Sequence, residues 1–262
     1  MYNFDFVKAK SVAEAANALK TADATALGGG QTLLPTLKQR LAAPSVLVSL
    51  SGIDEMIGVA HRGNSVSIGG ATIHATVAQD TDGVFPALSE LAGHIGDPAV
   101  RNRGTIGGSL ANNDPSACYP AAALGSGATI ITNAREITAD DFFVGMFETA
   151  LEEGEIITSV SFPVPEVANY QKFVQPASRF ALVGVFVAKF PDGVRVAVTG
   201  AAEDGVYRWR EAEALLSAKF SADAIADMAP AADGMISDLH GTSAYRAHLV
   251  GVMTRRAVAN SH

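Results

Sequence analysis

The chain has 262 residues, 48% of them apolar and 18% charged, with a net charge of −8. A chain of this size can bury a full core, as one large domain or two ordinary ones. The acidic balance and the lack of any Lys/Arg-rich tract exclude nucleic acid and anionic lipid as main partners, since both require a concentrated basic patch. The single cysteine, Cys118, rules out an internal disulfide and cannot supply the thiolates of an iron–sulfur cluster, so any such cluster belongs to another chain.

The N-terminus carries Asp5 where an export signal needs a basic region and a long apolar run, so a cytoplasmic location is expected. Phe4 and Phe6 alternate with polar neighbours as in a short strand. Val12, Ala15, Ala16 and Leu19 then recur at helical spacing behind Ser11 and Glu14, a capping-box pair. Thr25 to Leu27 and Val46 to Leu50 read as strands flanking a glycine loop and a turn of helix over 33–41. A hairpin is expected around Gly63-Asn64, and a helix over 86–91. The longest uncharged run, 115–134, is broken by prolines and glycines and reads as buried protein rather than a membrane span. Within it, 125–133 is strand-like.

A second strand-like stretch ends at Pro163, and the proline-bearing segment 163–169 is the expected domain boundary. Beyond it, 180–190 and 194–202 read as strands joined by Pro191-Asp192-Gly193, a strong hairpin signal. Helices are expected over 210–220, 222–228 and 244–258, the last with Arg255 and Arg256 near its end.

Two stretches carry chemistry. The first is Gly28-Gly29-Gly30-Gln31-Thr32-Leu33-Leu34-Pro35, and the second is Arg103-Gly104-Thr105-Ile106-Gly107-Gly108-Ser109 continuing to Asp114-Pro115. Consecutive glycines let backbone amides turn toward one point and form an anion nest. Each loop adds hydroxyls and lacks a nearby lysine, which points to a diphosphate held by neutral donors and hence to a dinucleotide cofactor. Leu33 stands where a Rossmann fingerprint needs its third glycine, so that mode of binding is excluded. The six histidines show no metal-ligand spacing, and no metal is assigned.

The first stretch resembles the A-G-G-Q-S-L-L-P loop of the FAD-binding medium subunits of molybdenum hydroxylases, the carbon monoxide dehydrogenase and xanthine dehydrogenase group. Ile95-Gly96-Asp97 with Val100 to Gly108 resembles that family's second FAD loop. Tyr170-Gln171-Lys172-Phe173 with Val183-Gly184-Val185, and the ending from Tyr245 to Ala257, also match. The likeness spans nearly the whole chain.

The resemblance implies an α+β fold: an FAD-binding domain of the vanillyl-alcohol-oxidase (PCMH) type over 1–165, with subdomains of about 1–55 and 56–165. A small C-terminal α+β domain over 166–262, a three-stranded sheet plus helices, would follow. It implies an oxidoreductase subunit with non-covalent FAD, held by Gly28, Gly29, Gly30, Gln31, Thr32, Leu33 and Leu34, by Thr105, Ile106, Gly107, Gly108 and Ser109, and by Asp114, Cys118, Ile157 and Lys172. A small subunit with 2Fe–2S clusters and a large molybdopterin subunit are the implied partners, in a dimer of heterotrimers. Electrons would pass from the clusters through FAD to an external acceptor, and no residue of this chain is assigned as a general acid or base. The family commonly has Asp or Glu four residues after Asp114; Cys118 stands there and cannot reproduce a carboxylate's contacts. A stand-alone flavoenzyme of the same superfamily, and an assembly subunit without flavin, are the alternatives.

Overall fold

The computed structural model describes residues 1–176 and 178–262. Its first unit is β1 (Asp5–Lys8), α1 (Val12–Ala18), β2 (Ala24–Leu27), α2 (Leu33–Lys38) and β3 (Val46–Ser49). The three strands form a parallel sheet in the order β1-β3-β2. The Ser11 hydroxyl accepts from the Glu14 N–H at 3.1 Å, while the Glu14 carboxylate reaches back to the N–H of Lys10, one residue before the cap. This fixes where α1 begins.

The second unit follows a turn of 3-10 helix at Asp54–Met56. It comprises β4 (Val59–Arg62), β5 (Ser65–Gly69), α3 (His74–Thr81), α4 (Pro86–Gly93), α5 (Pro98–Arg101), α6 (Ile106–Asn112) and α7 (Cys118–Ser126). The chain continues through β6 (Thr129–Thr132), β7 (Glu136–Thr138), α8 (Ala139–Phe142), a short hairpin of β8 (Phe143–Gly145) and β9 (Glu148–Thr149), and β10 (Ile157–Pro163). The main sheet is antiparallel in the order β4-β5-β10-β6-β7. The stretch expected to be a strand from residue 125 is divided: Gly125 and Ser126 complete α7, Gly127 (φ +66°) ends it, and the strand starts at Thr129. A left-handed residue just past a helix is a position suited to glycine. Every residue of α7 is buried, as the uncharged composition of this run requires.

The third unit is β11 (Val167–Val174), β12 (Ala181–Phe190), β13 (Gly193–Ala202), β14 (Gly205–Arg208), α9 (Arg210–Ala218), a 3-10 turn at Ala222–Ile225, and α10 (Ser243–Ala259). The sheet is an antiparallel meander with four strands where three are expected. The addition is β14, which folds back on β13 through the positive-φ Gly205. The expected helix over 222–228 is limited to that 3-10 turn, followed by Pro230 and the glycine at 234.

β12 is buried from Ala181 to Ala188 because it is covered on both sides. Phe186 and Ala188 face the main core, built on α4, α6 and α7, whereas Val183, Val185 and Val187 join Leu216, Val250 and Met253 from α9 and α10. The period-two alternation of β12 thus sends successive residues to two cores. Gly125 of α7 permits close approach: a Cβ there would lie 2.8 Å from the Phe186 ring.

Candidate functional site

The two glycine stretches meet across one cleft of about 610 Å3, within the range of small-molecule sites. The loop from β2 to α2 forms one wall and the corner leading into α6 forms the other. A Cβ on Gly28 would sit 2.7 Å from the Thr105 hydroxyl, and one on Gly29 would overlap the Arg103 carbonyl. Close packing of loop on loop is therefore the first physical reason for these glycines.

The two walls differ in what they offer. None of the backbone N–H groups from Gly28 to Leu33 has a hydrogen-bond partner among the described residues, and all six residues line the cleft. Gly30, at φ +72°, turns the chain so that this row leads into the first turn of α2. In the second loop the backbone donors expected to face a cofactor are used internally. Ile106 N–H donates to Thr72 O, Gly107 N–H to Gly70 O and Gly108 N–H to the Thr105 hydroxyl oxygen. Pairing with the 70–72 segment and capping of α6 consume them. The second wall instead presents side chains, the hydroxyls of Thr105 and Ser109 and the amide of Asn112. An anion here meets a row of N–H groups on one side and hydroxyls on the other, a donor set that fits the diphosphate of a dinucleotide.

Of the residues expected at the site, all line this cleft except Leu34 and Ile106. Ile106 is fully buried in the main core, and the Leu34 side chain fills the space beneath Gly30. Asp114 accepts from the Ser116 N–H at 2.8 Å, and burial pushes its carboxyl above the usual range. Cys118 is the first residue of α7 and is 5% exposed. Ile157 opens β10, the central strand of its sheet, and Lys172 on β11 donates to the His94 carbonyl at 2.8 Å. That bond joins the third unit to the rim of the cleft. A second tie lies beside it, the Ser178 hydroxyl on the Asp97 carboxylate at 3.0 Å.

Several lining residues had no signal in the sequence. Glu155 is held ionised, its pKa lowered to about 2 by hydrogen bonds from Arg135 against the opposing effect of burial. Arg179 and Phe180 stand at the mouth. His74, the first residue of α3, lies 4% exposed on the floor, and its pKa is lowered to about 4 by burial and by Arg101. None of these belongs to a spacing pattern; topology alone assembles them. Among the described residues no cluster of His, Cys, Asp or Glu is arranged to hold a metal, and no helix is long and apolar enough to cross a membrane.

The sequence profile described as "FAD binding domain in molybdopterin dehydrogenase" matches residues 2–165. The chain is 33% identical to the carbon monoxide dehydrogenase medium chain of Afipia carboxidovorans, over 98% of this chain and 96% of that one. It is 34% identical to the glyceraldehyde dehydrogenase medium chain of Sulfolobus acidocaldarius (97% and 96% covered), and 32% identical to the nicotine 6-hydroxylase medium subunit of Paenarthrobacter nicotinovorans (96% and 94%). Among solved structures, a chain of the Cu,Mo-CO dehydrogenase in its cyanide-inactivated form superimposes with a TM-score of 0.87 at 30% identity, covering 99% of this chain and 98% of that one. A chain of quinoline 2-oxidoreductase from Pseudomonas putida 86 also gives 0.87, at 28% identity, with 98% and 96% covered. With the profile spanning most of the chain, relatives above 30% identity over nearly its whole length, and a cleft whose donors suit a dinucleotide diphosphate, the chain belongs to the FAD-binding medium subunits of the molybdenum hydroxylase family of oxidoreductases.

Proposed function

We propose that this chain is the flavin-carrying subunit of a cytoplasmic, multi-subunit molybdenum hydroxylase. Its partners are a small iron–sulfur subunit and a large molybdopterin subunit, assembled as a dimer of heterotrimers. The family's two-domain organisation, divided at residue 165, belongs to the same proposal. Bound FAD supplies the redox chemistry that links the one-electron 2Fe–2S clusters of the small subunit to an external acceptor.

The chain's own residues bind and orient. The N–H groups from Gly28 to Leu33 hold the diphosphate from one side while Thr105 and Ser109 donate from the other, each such bond to an anion contributing about 1.5–3 kcal/mol. Ile157, Leu27 and Ile95 line the cleft with apolar surface that would shield a bound flavin from water. Lys172, fixed on the His94 carbonyl, places a positive charge at the rim. The observation that carries the reading is the row of unpartnered N–H groups opposite the two hydroxyls. A stand-alone flavoenzyme would need an acid/base pair over the flavin, and the two carboxylates lining the cleft are otherwise engaged: Asp114 with Ser116 N–H and Glu155 with Arg135.

The test is purification from cells expressing the whole complex. A yellow chain absorbing near ~450 nm, with one FAD per chain and with iron–sulfur and molybdopterin polypeptides copurifying, is the expected result. A colourless chain that takes up no FAD, or turnover of an organic substrate by the isolated yellow chain, overturns it.

A further inference from the structure

His74 is unused by the cofactor contacts described above, yet it sits at the place where they are set. Its backbone N–H donates to the Gly104 carbonyl at 3.0 Å, and Ile73 bridges to Thr105, so the start of α3 and the second loop are joined strand to strand. Its side chain runs under the same corner, where a Cβ on Gly104 would lie 2.5 Å from Nε2 and 2.9 Å from Cδ2. Behind the ring lies Tyr119 of α7, at 5.2 Å between centroids and an interplanar angle of 53°.

The imidazole is thus wedged between the corner carrying Thr105 and the core helix that begins at Cys118. Nδ1 is buried and has no hydrogen-bond partner among the described residues, although an unpaired polar atom in a core is costly. A phenyl ring would give the same filling without that cost.

We propose that His74 is a positioning residue for the cofactor. Its imidazole fixes the height of the Gly104-Thr105 corner, and so how far the Thr105 hydroxyl projects toward the N–H row of the first loop. The inference rests on FAD being the ligand of this cleft. Gly104 is glycine because the corner rests directly on the ring, and a methyl group there has to displace either the imidazole or the loop.

The experiment uses the full chain, stripped of flavin and titrated with FAD, with Tm of the flavin-free protein and visible circular dichroism of the bound flavin recorded alongside. Gly104→Ala is expected to weaken FAD about tenfold, the scale of one lost hydrogen bond to an anion. In a His74→Ser background the same Gly104→Ala change should cost no more than about threefold, because contacting residues are not additive. The flavin dichroism band altered by Gly104→Ala should return toward that of His74→Ser in the double variant. Should Gly104→Ala fail to fold, the His74 variants decide: His74→Ser, which removes the ring, is expected to weaken FAD and shift the dichroism band, whereas His74→Phe, which keeps a ring under the corner, is expected to retain both near wild type. An equal cost of Gly104→Ala with and without His74, or a His74→Ser protein with wild-type affinity and dichroism, overturns the assignment. A wild-type chain that takes up no FAD fails the cofactor reading instead, which separates the two.

Discussion

The side chains of the cleft divide into those that meet a ligand and those that keep its walls apart. Gly29 illustrates the second kind, since any Cβ would overlap the Arg103 carbonyl. The glycine repeat is readable in the sequence as a nest, but that one glycine loop abuts another becomes visible only when residues 29 and 103 are placed together. His74 has a pH consequence of its own. Burial and Arg101 lower its folded-state pKa from 6.5 to about 4, so the unfolded chain binds this proton more readily. Its contribution to stability is therefore complete above about pH 6.5 and is lost as pH falls toward about 4. The total is on the order of 3 kcal/mol. Urea unfolding of the flavin-free chain at a series of pH values should show this decline in wild type and a flatter profile in His74→Phe between those limits.

Among elements, α6 places five of its seven residues, Gly107, Gly108, Ser109, Ala111 and Asn112, along the cleft. Its seven residues lie between the cap residue Thr105, whose hydroxyl accepts from Gly108 N–H at 3.2 Å, and Asn113, whose left-handed backbone (φ +40°) terminates the helix. Asn113 is nearly fully buried and donates to the carbonyls of Gly145 and Glu148 at 2.8 and 2.9 Å, fastening the β8–β9 hairpin to the end of α6. Thr105→Ala should lower stability by about 1 kcal/mol through loss of the cap. It should also weaken FAD roughly tenfold through loss of the cleft-facing hydroxyl. Thr105→Ser should retain most of both; thermal melts with and without FAD read the two effects apart. The start of α1 is legible from Ser11 and Glu14, and the hairpin at Gly63-Asn64 from its turn residues. The end of α7 is not, because Thr129 to Thr132 blends in composition with the helix before it, and only the left-handed Gly127 separates them.

Across the whole molecule, the third unit is bound to the second by side chains reaching over the shared core. Thr199 on β13 donates to the carbonyls of Pro115 and Ala117 while its neighbour Gly200 N–H also meets Pro115 O, so the segment from Asp114 to Cys118 is supported from below by the C-terminal sheet. Asp140 gathers Arg195, Arg208 and Arg210 from that unit. Burial alone would raise its pKa, yet hydrogen bonds from Arg195 and Arg208 outweigh it and hold the carboxyl below its ordinary value. Asp140→Asn should lower stability by about 1 kcal/mol, a figure reduced for solvent screening because the carboxylate is partly exposed. Adding salt should narrow the gap to wild type in denaturant unfolding. None of these ties is readable from sequence, since Asp140 and Arg208 lie far apart in the chain and belong to no motif.

The cleft draws its lining from Thr25 through to Phe180, with His74, Thr105, Ile157 and Lys172 between. A ribosome delivers these in order, and domains fold as their residues emerge. When the Gly28–Leu33 row first leaves the exit tunnel, neither the facing hydroxyls nor the strand bearing Ile157 has been made. A complete lining therefore exists only once the chain has been made past residue 180, and two ties at the rim, Lys172 on His94 and Ser178 on Asp97, come from the third unit. The pocket is in that sense a late product of synthesis, set by where along the chain its pieces lie.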